Sequence, residues 1–596
     1  MSDATPEPAA SQPEPQPTRK RRRVWPWVAG GCGIVVVGVG ALFAWNAKTM
    51  LDSSEALTAH ATAAKQAVSN RDAAALAAEV DSLEESARAF AGATSGPHWW
   101  LAAHTPWVAD QVRPLMAAGD AVDAMATQAL APLAEMDSLD ALAVPGFEDG
   151  RIDPYVLEPY REPLAQAADA LDAQSAVLGN VSLANTIDRV ATPFLDLREQ
   201  VDSLAGLVGS AHVAAELLPS MLGGEGERTY LVMVQNNAEP RATGGISGAI
   251  IEITVDDGGV SMGDYRSAGS LEQPSGVGGL TKDEKRIFGD QMEIFPQDVN
   301  FTPEFPRSAE LMTRFWAAGG GDEVDGVISV DSVALGWMLE GSDPVAVGPF
   351  EITGANLADT MLRDSYLEYP DPRDQDAFFG RASAELFGRI VSGDGAVLDG
   401  VERAIDAGRF MVWSADEAEQ DLLVSTPISG GYLERDDAVG VFVNDGTGSK
   451  IGYYVDTAAT VTDLMCPDGS IAGQEVEVAF THAFDGDLEA LPEYVSGGGI
   501  YVSLGEFHAN VLIYPAVGTG VTGVTLDGKK AKVRPEHEEG RAMATARIEI
   551  APGETATLRY TIAANERGVL PPAYVQTPGA QETVVKRDTA AASEGC

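Results

Sequence analysis

Arg241, Thr243, Gly244 and Gly245 stand within five residues of one another in the string VQNNAEPRATGGISG. Arginine beside paired glycines suits an oxyanion. The guanidinium fork matches the oxygens of a phosphate or pyrophosphate, and glycines let backbone amides approach one closely. Four later arginines are candidates for the same site: Arg266 in VSMGDYRSAG, then Arg363, Arg373 and Arg381 in MLRDSYLEYPDPRDQDAFFGR. Asp298, in FPQDVNFTPEFPRSAE, and Asp331, closing VDGVISVD, would suit a magnesium ion bridging the same oxygens, the one cofactor this pattern admits. The plain alternative is a set of ordinary arginine–aspartate pairs on loops.

Other chemistry is missing from the string. It contains no HExxH, CxxC, Walker lysine loop or GxSxG, and its seven histidines are scattered. DGTGSK at 445–450 has the look of a phosphate loop, but strand-like runs flank it and predict a hairpin turn. Cys466 and Cys596 are the candidate disulfide of an extracellular region. Trp99, Trp100 and Trp107 cluster at a break between helical patterns, where packing at a helix junction or contact with a nearby membrane accounts for them better than a ligand platform.

Such residues need elements to hold them. Apolar runs at 230–234 and 246–255 flank the Arg241 string and predict two strands joined by a loop of about ten residues. With a strand-like run at 324–331 and helical stretches between, residues 223–405 predict a central α/β (α+β) domain, in which ligands sit at strand ends. Ahead of it, residues 46–222 step apolar positions by threes and fours, most cleanly at Ile187, Val190, Phe194, Leu197, Val201, Leu204 and Val208. That predicts an α-helical bundle or stalk, with a helix starting or kinking at Pro193. Beyond it, residues 410–575 change to period two. Ala544, Ala546, Ile548 and Ile550, then Ala556, Leu558, Tyr560 and Ile562, alternate with polar residues, as in a C-terminal all-β sandwich of the immunoglobulin-like kind. Residues 576–596 read as a flexible tail.

At the other end, residues 1–23 read as a disordered cytoplasmic tail closed by RKRRR, and residues 24–45 carry no charge. About 20 apolar residues span a bilayer as a helix, and a basic flank stays in the cytoplasm. The expectation is a multi-domain protein of the cell membrane: single-pass, N-terminus inside, residues 46–596 outside. Its formal net charge of −49 excludes nucleic acid as a partner.

The strings LVMVQNNAEPRATGGISG, QDVNFTPEFPRSAE, VDGVISVDSVAL and GVFVNDGTGSKIGYYVD resemble the family called domain of unknown function 4012, found as membrane-anchored proteins of Gram-positive, GC-rich bacteria. More distantly, the order of parts is similar to the LytR–CpsA–Psr phosphotransferases, which move glycopolymers from polyprenyl-pyrophosphate carriers to the wall. That resemblance implies a LytR–CpsA–Psr-like central fold and pairs Arg241, Arg266, Arg363, Arg373 and Arg381 with its arginines. The chain lacks the family's R-x-R and R-Q pairs and has Thr-Gly-Gly where Asp-Thr is expected. Three readings stay open: an envelope glycopolymer transferase; a non-catalytic relative binding a glycopolymer or lipid-linked precursor; and a structural or adhesion protein.

Overall fold

The computed structural model describes residues 72–106, 108–134, 147, 150–183, 185–433, 435, 438–466, 471–568, 573–592 and 596, with scattered positions between 42 and 67. The expected cytoplasmic tail at 1–23 and the expected span at 24–45, save Leu42 and Trp45, lie outside the described residues, as does Trp107.

Helices dominate the first third. Among the described residues, besides helical positions between 42 and 67, they include α1 (Ala73–Ala93), α2 (Pro97–Ala103), α3 (Ala109–Ala124, prolonged to Ala134), α4 (Arg161–Gly179) and α5 (Asp188–Met221). Asp72 caps α1 by accepting from the Ala75 amide, and Pro97 opens α2, where its missing N–H is not needed. The three-and-four spacing becomes a buried seam. Leu83 and Ala87 of α1 meet Ala126, while Phe194 and Val201 of α5 meet Ala118, Ala121 and Leu178. The helix does not start at Pro193, as one of the two expectations had it: α5 begins at Asp188 and carries Pro193 within it. By length and composition α5 is also apolar enough to cross a membrane, but it lies mid-chain and buries Val201, Ala205 and Val208 among its neighbours.

Five strands form the sheet that follows: β1 (Arg228–Arg241), β2 (Gly244–Asp256), β3 (Gly259–Ser267), β4 (Gly326–Asp331) and β5 (Phe410–Ser414), ordered β3-β2-β1-β4-β5. Only β1 and β4 run parallel. Helix α6 (Phe305–Ala318) buries Phe305, Met312 and Phe315 against Leu231, Met233, Ile250 and Val327 on one face. On the other, Val330 meets Ala334 and Met338 of α7 (Ser332–Met338), and Tyr230, Ile251 and Ile253 share a cluster with Phe387 of α8 (Pro372–Val391). Alternate strand residues therefore face opposite helical layers.

Two antiparallel-rich sheets complete the chain. One contains β6 (Ala438–Asp445), β9 (Phe507–Tyr514), β11 (Val533–Glu538), β12 (Arg541–Ile550) and β14 (Ala573–Gln576). The other contains β7 (Val455–Met465), β8 (Ile471–His482), β10 (Val521–Leu526), β13 (Thr555–Gly568) and β15 (Val584–Ala591), with Lys529–Lys530 at its edge. Val441, Val511 and Ile548 from the first share one core with Val461, Val478, Leu558 and Tyr560 from the second.

Two boundaries move. Phe410–Ser414, expected in the sandwich, pairs with β4 instead, because its apolar residues complete the edge of the α/β sheet. Residues 576–596, expected as a loose tail, supply β15, which runs parallel to β7, and end at a Cys466–Cys596 disulfide.

That disulfide closes a loop with a sequence separation of 130, and such a cross-link stabilises mainly by restricting the unfolded chain. Cys596→Ser should lower the unfolding free energy by about 2–5 kcal/mol in denaturant titrations. Reducing agent should lower the wild type by a similar amount and leave the variant unchanged.

Candidate functional site

The ten-residue loop expected between the first two strands does not exist. The ladder continues to Arg241↔Gly244, leaving Ala242 and Thr243 as a two-residue turn. Asn237, Ala238 and Glu239 are absorbed by a register shift between Asn236 and Pro240, so polar residues that read as loop lie inside a bulged strand. The glycines serve this crossing. A Cβ on Gly245 would lie 2.1 Å from the Asn236 carbonyl oxygen, and one on Gly244, whose φ is 143°, would meet Gln235 Oε1 at 2.4 Å. Gln235 Oε1 accepts from the Gly245 amide at 2.8 Å, and its Nε2 donates to Ser329 at 2.5 Å and Thr243 at 3.3 Å.

Arg241 points into protein. It is 5 % exposed, its Nε donates to Asp298 at 3.0 Å and its Nη2 to Glu239 at 3.1 Å. Glu239 turns its other oxygen to Lys450 Nζ at 2.7 Å, and Lys450 is 1 % exposed beside the rings of Tyr366 and Tyr494. Burial works against the Glu239 carboxylate, but Lys450 and then Arg241 outweigh it and hold its pKa below the ordinary value. Burial raises Asp298, with Arg241 opposing it, and raises Asp445, with the Glu239 charge adding to the rise. Of these three carboxylates, Glu239 is the one shifted towards its ionised form.

DGTGSK is not a hairpin turn, which corrects the expectation. Strands β6 and β7 belong to different sheets, and the segment crosses between them. Asp445 Oδ1 accepts from the Thr447 amide at 2.6 Å and the Gly448 amide at 3.3 Å, turning the chain so that Lys450 enters the interior. These amides serve an internal carboxylate.

The hairpin tip is gripped by the sandwich. The Ala242 amide donates to Asn444 Oδ1 at 3.0 Å, and the Ala242 carbonyl accepts from Thr577 at 3.0 Å. Beside it, at the carboxyl ends of parallel β1 and β4, Asp331 caps α7 through the Ala334 amide at 2.8 Å. Its other oxygen accepts from Arg409 at 2.5 Å and Asn237 at 3.0 Å. Arg409 and Asn237 also donate to the carbonyls of Gly579 (2.8 Å) and Pro578 (3.2 Å). The C-terminal segment therefore lies across the strand ends where α/β sheets receive ligands. A cavity of about 30 Å3 remains, lined in part by Asn237, Gly452 and Gly579; it has room for water, not for a pyrophosphate.

The remaining arginines are dispersed. Arg266 stacks on Trp316 of α6, 4.0 Å from the ring centroid, and donates to the Gly319 carbonyl at 3.1 Å. Its neighbour Tyr265 faces the opposite layer, where a Cβ on Gly380 of α8 would lie 3.7 Å away. Arg381, next on α8, is exposed on that layer, so Arg266 and Arg381 occupy opposite sides of the sheet. Arg363 bonds Asp364 at 2.6 Å and the Tyr453 hydroxyl at 3.0 Å; that bond to Asp364, followed by the nearby Tyr453, Asp364 and Asp359 charges, raises its pKa against burial. Arg373 is exposed in the first turn of α8. Arg241 and Asp298 are the expected pair that the fold brings together. Asp298 and Asp331 each answer an arginine, in separate networks, and among the described residues no three His, Cys, Asp or Glu side chains group as metal ligands. They do not fit a magnesium site.

Sequence reasoning missed Glu239, Asn237, Lys450, Asp445 and Arg409. For all of these but Arg409 the signal is present in NNAEPR and DGTGSK, polar strings next to apolar strand runs. Missed too was Glu538, whose carboxylate accepts from Thr302 at 2.8 Å and from the Tyr514 hydroxyl. Burial, with Glu304 and Glu284 nearby, pushes Glu538 up to about 7 against those two hydrogen bonds.

Residues 225–366 match the family described as Protein of unknown function (DUF4012). NNAEPRATGG, QDVNFTPEFPRSAE and VDGVISVDSVAL fall within the match, and the string from 440 to 456 lies beyond it. No curated protein and no solved structure matches the chain.

Removing one partner of a buried ion pair is strongly destabilising, so Arg241→Ala should cost about 3–5 kcal/mol at pH 7. The loss should shrink in acid, where Asp298 takes up a proton. Arg381→Ala, on an exposed helix face, should stay within about 0.5 kcal/mol. Urea midpoints separate the two outcomes. Glu538 gives a pH signature of definite sign. Its folded pKa lies above the unfolded value, so its contribution is complete below 4.5 and is lost as pH rises towards about 7. Relative to Glu538→Gln, the wild type should lose stability across that window and hold level above it.

Proposed function

We propose that this chain is a non-catalytic, membrane-anchored protein of the cell envelope, with its helical bundle, α/β unit and sandwich on the outer side. The observation that carries the reading is the closure of the β1 and β4 ends by the chain's own residues. Arg241 has its charge met by Glu239 and Asp298, and Arg409 has its charge met by Asp331. Kinship with the LytR–CpsA–Psr proteins is in this proposal one of fold, carried by the order of strands and arginines, without the transfer reaction. The sandwich is read as immunoglobulin-like from its two facing sheets and shared core. RKRRR ahead of an uncharged 24–45 supports the topology, and the Cys466–Cys596 disulfide agrees with an oxidising exterior.

For the partner, an envelope glycopolymer remains the proposal, bound on the surface. The net charge of −49 favours an uncharged polymer over a phosphate-rich one. Tyr501, 77 % exposed, and Ile500, 66 % exposed, offer apolar contact area on the segment between β8 and β9.

The full chain in detergent should show no rise in melting temperature with millimolar geranylgeranyl pyrophosphate, with or without magnesium. A ligand that binds only the folded state at 100 times its Kd would add about 2.7 kcal/mol. A rise of several degrees that Arg241→Ala abolishes would restore the transferase reading.

A further inference from the structure

Helix α2 is apolar on both sides. Trp99, Ala102 and Ala103 are buried against Val112, Leu115 and Met116, as one face of a packed helix should be. The other side carries Trp100 and Leu101, each 60 % exposed, and Val108 just beyond the helix is also exposed. A helix at a water-facing corner would put polar residues there. Apolar residues on both faces imply a second apolar phase.

The neighbours of α2 identify that phase. Asn46 Nδ2 lies 2.8 Å from His98 Nε2, and Met50 packs on the Trp99 cluster. Asn46 directly follows Trp45, where the uncharged run of 24–45 ends. Residues 45, 46 and 48–50 are helical, so Met50 stands about 7.5 Å beyond Trp45 at 1.5 Å per residue. The polar layer on each side of a bilayer core is about 5–8 Å deep. With Trp45 at the edge of the hydrocarbon core, that rise would hold α2 at headgroup height, where indole rings favour the boundary. Charge agrees: in a chain with 89 acidic residues, no carboxylate occurs between Glu85 and Asp110.

We propose that α2 lies on the outer leaflet as a second, interfacial membrane contact, with Trp100, Leu101 and Val108 entering the lipid boundary. The inference rests on the reading of 24–45 as a span, and the experiment separates the two. The full chain is reconstituted into vesicles of phosphatidylcholine and phosphatidylglycerol. Nitroxides are placed one at a time on the native Cys32, or on Leu101→Cys or Leu207→Cys in a Cys32→Ser background. Collision with oxygen reports lipid, and collision with a water-soluble nickel chelate reports solvent.

The expected order of nickel accessibility is Cys32 lowest, position 101 intermediate and position 207 highest. Trp100→Ser should move the 101 label towards water without changing the melting temperature, since Trp100 is exposed in the fold. If position 101 is as nickel-accessible as 207 while Cys32 is buried, the span stands and the α2 contact is wrong. If Cys32 itself meets nickel freely, the span reading fails and takes the proposal with it. Spin–spin broadening at position 101 would show a second copy covering the patch, which also overturns the lipid assignment.

Discussion

One carboxylate, Glu239, answers two buried cations, and the joint between the α/β unit and the sandwich depends on that contact. Arg241 reaches it from the end of β1 and Lys450 from the segment after β6. A lone charge in such a site would be costly, because removal from water outweighs any single attraction. Glu239 is held ionised by both partners together, and each partner belongs to a different half of the molecule. Separating the halves would therefore expose or strand charges on both sides. Nearby hydrogen bonds extend the same logic. Asn444 and Thr577 serve the Ala242 turn, and Glu304 accepts from the amides of Tyr432 and Leu433.

This joint occupies the place that open α/β sheets commonly give to ligands. The carboxyl ends of β1 and β4 bring together Gln235, Asn237, Asp331 and Arg409, a polar set suited to holding a guest. Here the guest is backbone from the chain's own C-terminal segment. Pro578 and Gly579 offer carbonyls, which match the donors of Asn237 and Arg409. Arg541 does comparable work deeper in the sandwich, donating to the carbonyls of Tyr432, Leu433, Arg435, Ala438 and Pro515. In this fold buried arginines organise backbone turns, so a string of arginines is poor evidence for an anion site unless their side chains converge.

The sequence was legible where burial imposes a period. All eight apolar positions read from 544 to 562 are buried, and Phe194, Val201 and Val208 form the expected seam of α5. Period says which face is apolar but not which sheet a strand joins, and so the pattern at Phe410–Ser414 does not reveal that it pairs with β4. NNAEPR was misread for a different reason. A bulge buries polar residues without alternation, and the side chains that satisfy them lie some 200 residues away, as Lys450 does for Glu239. The pairing of Arg241 with Asp298, 57 residues on, is equally beyond local pattern, although each residue stands out in the sequence by its type.

The distribution of charge sets what the outer surface can meet. The chain has 40 basic residues against 89 acidic ones, and several of its arginines and Lys450 are turned inward. Each cation buried against a carboxylate neutralises that carboxylate but is lost to the surface, where acidic residues then prevail. Long-range attraction for phosphate polymers or anionic lipid is weak on such a body. In the proposed membrane setting, contact would have to be made by apolar groups where carboxylates are missing, and the corner at α2 meets both conditions. An anchor at 24–45 alone would leave the bundle free to swivel about one helix. A second contact at α2, only a few residues along in space, would fix the direction in which the bundle leaves the membrane.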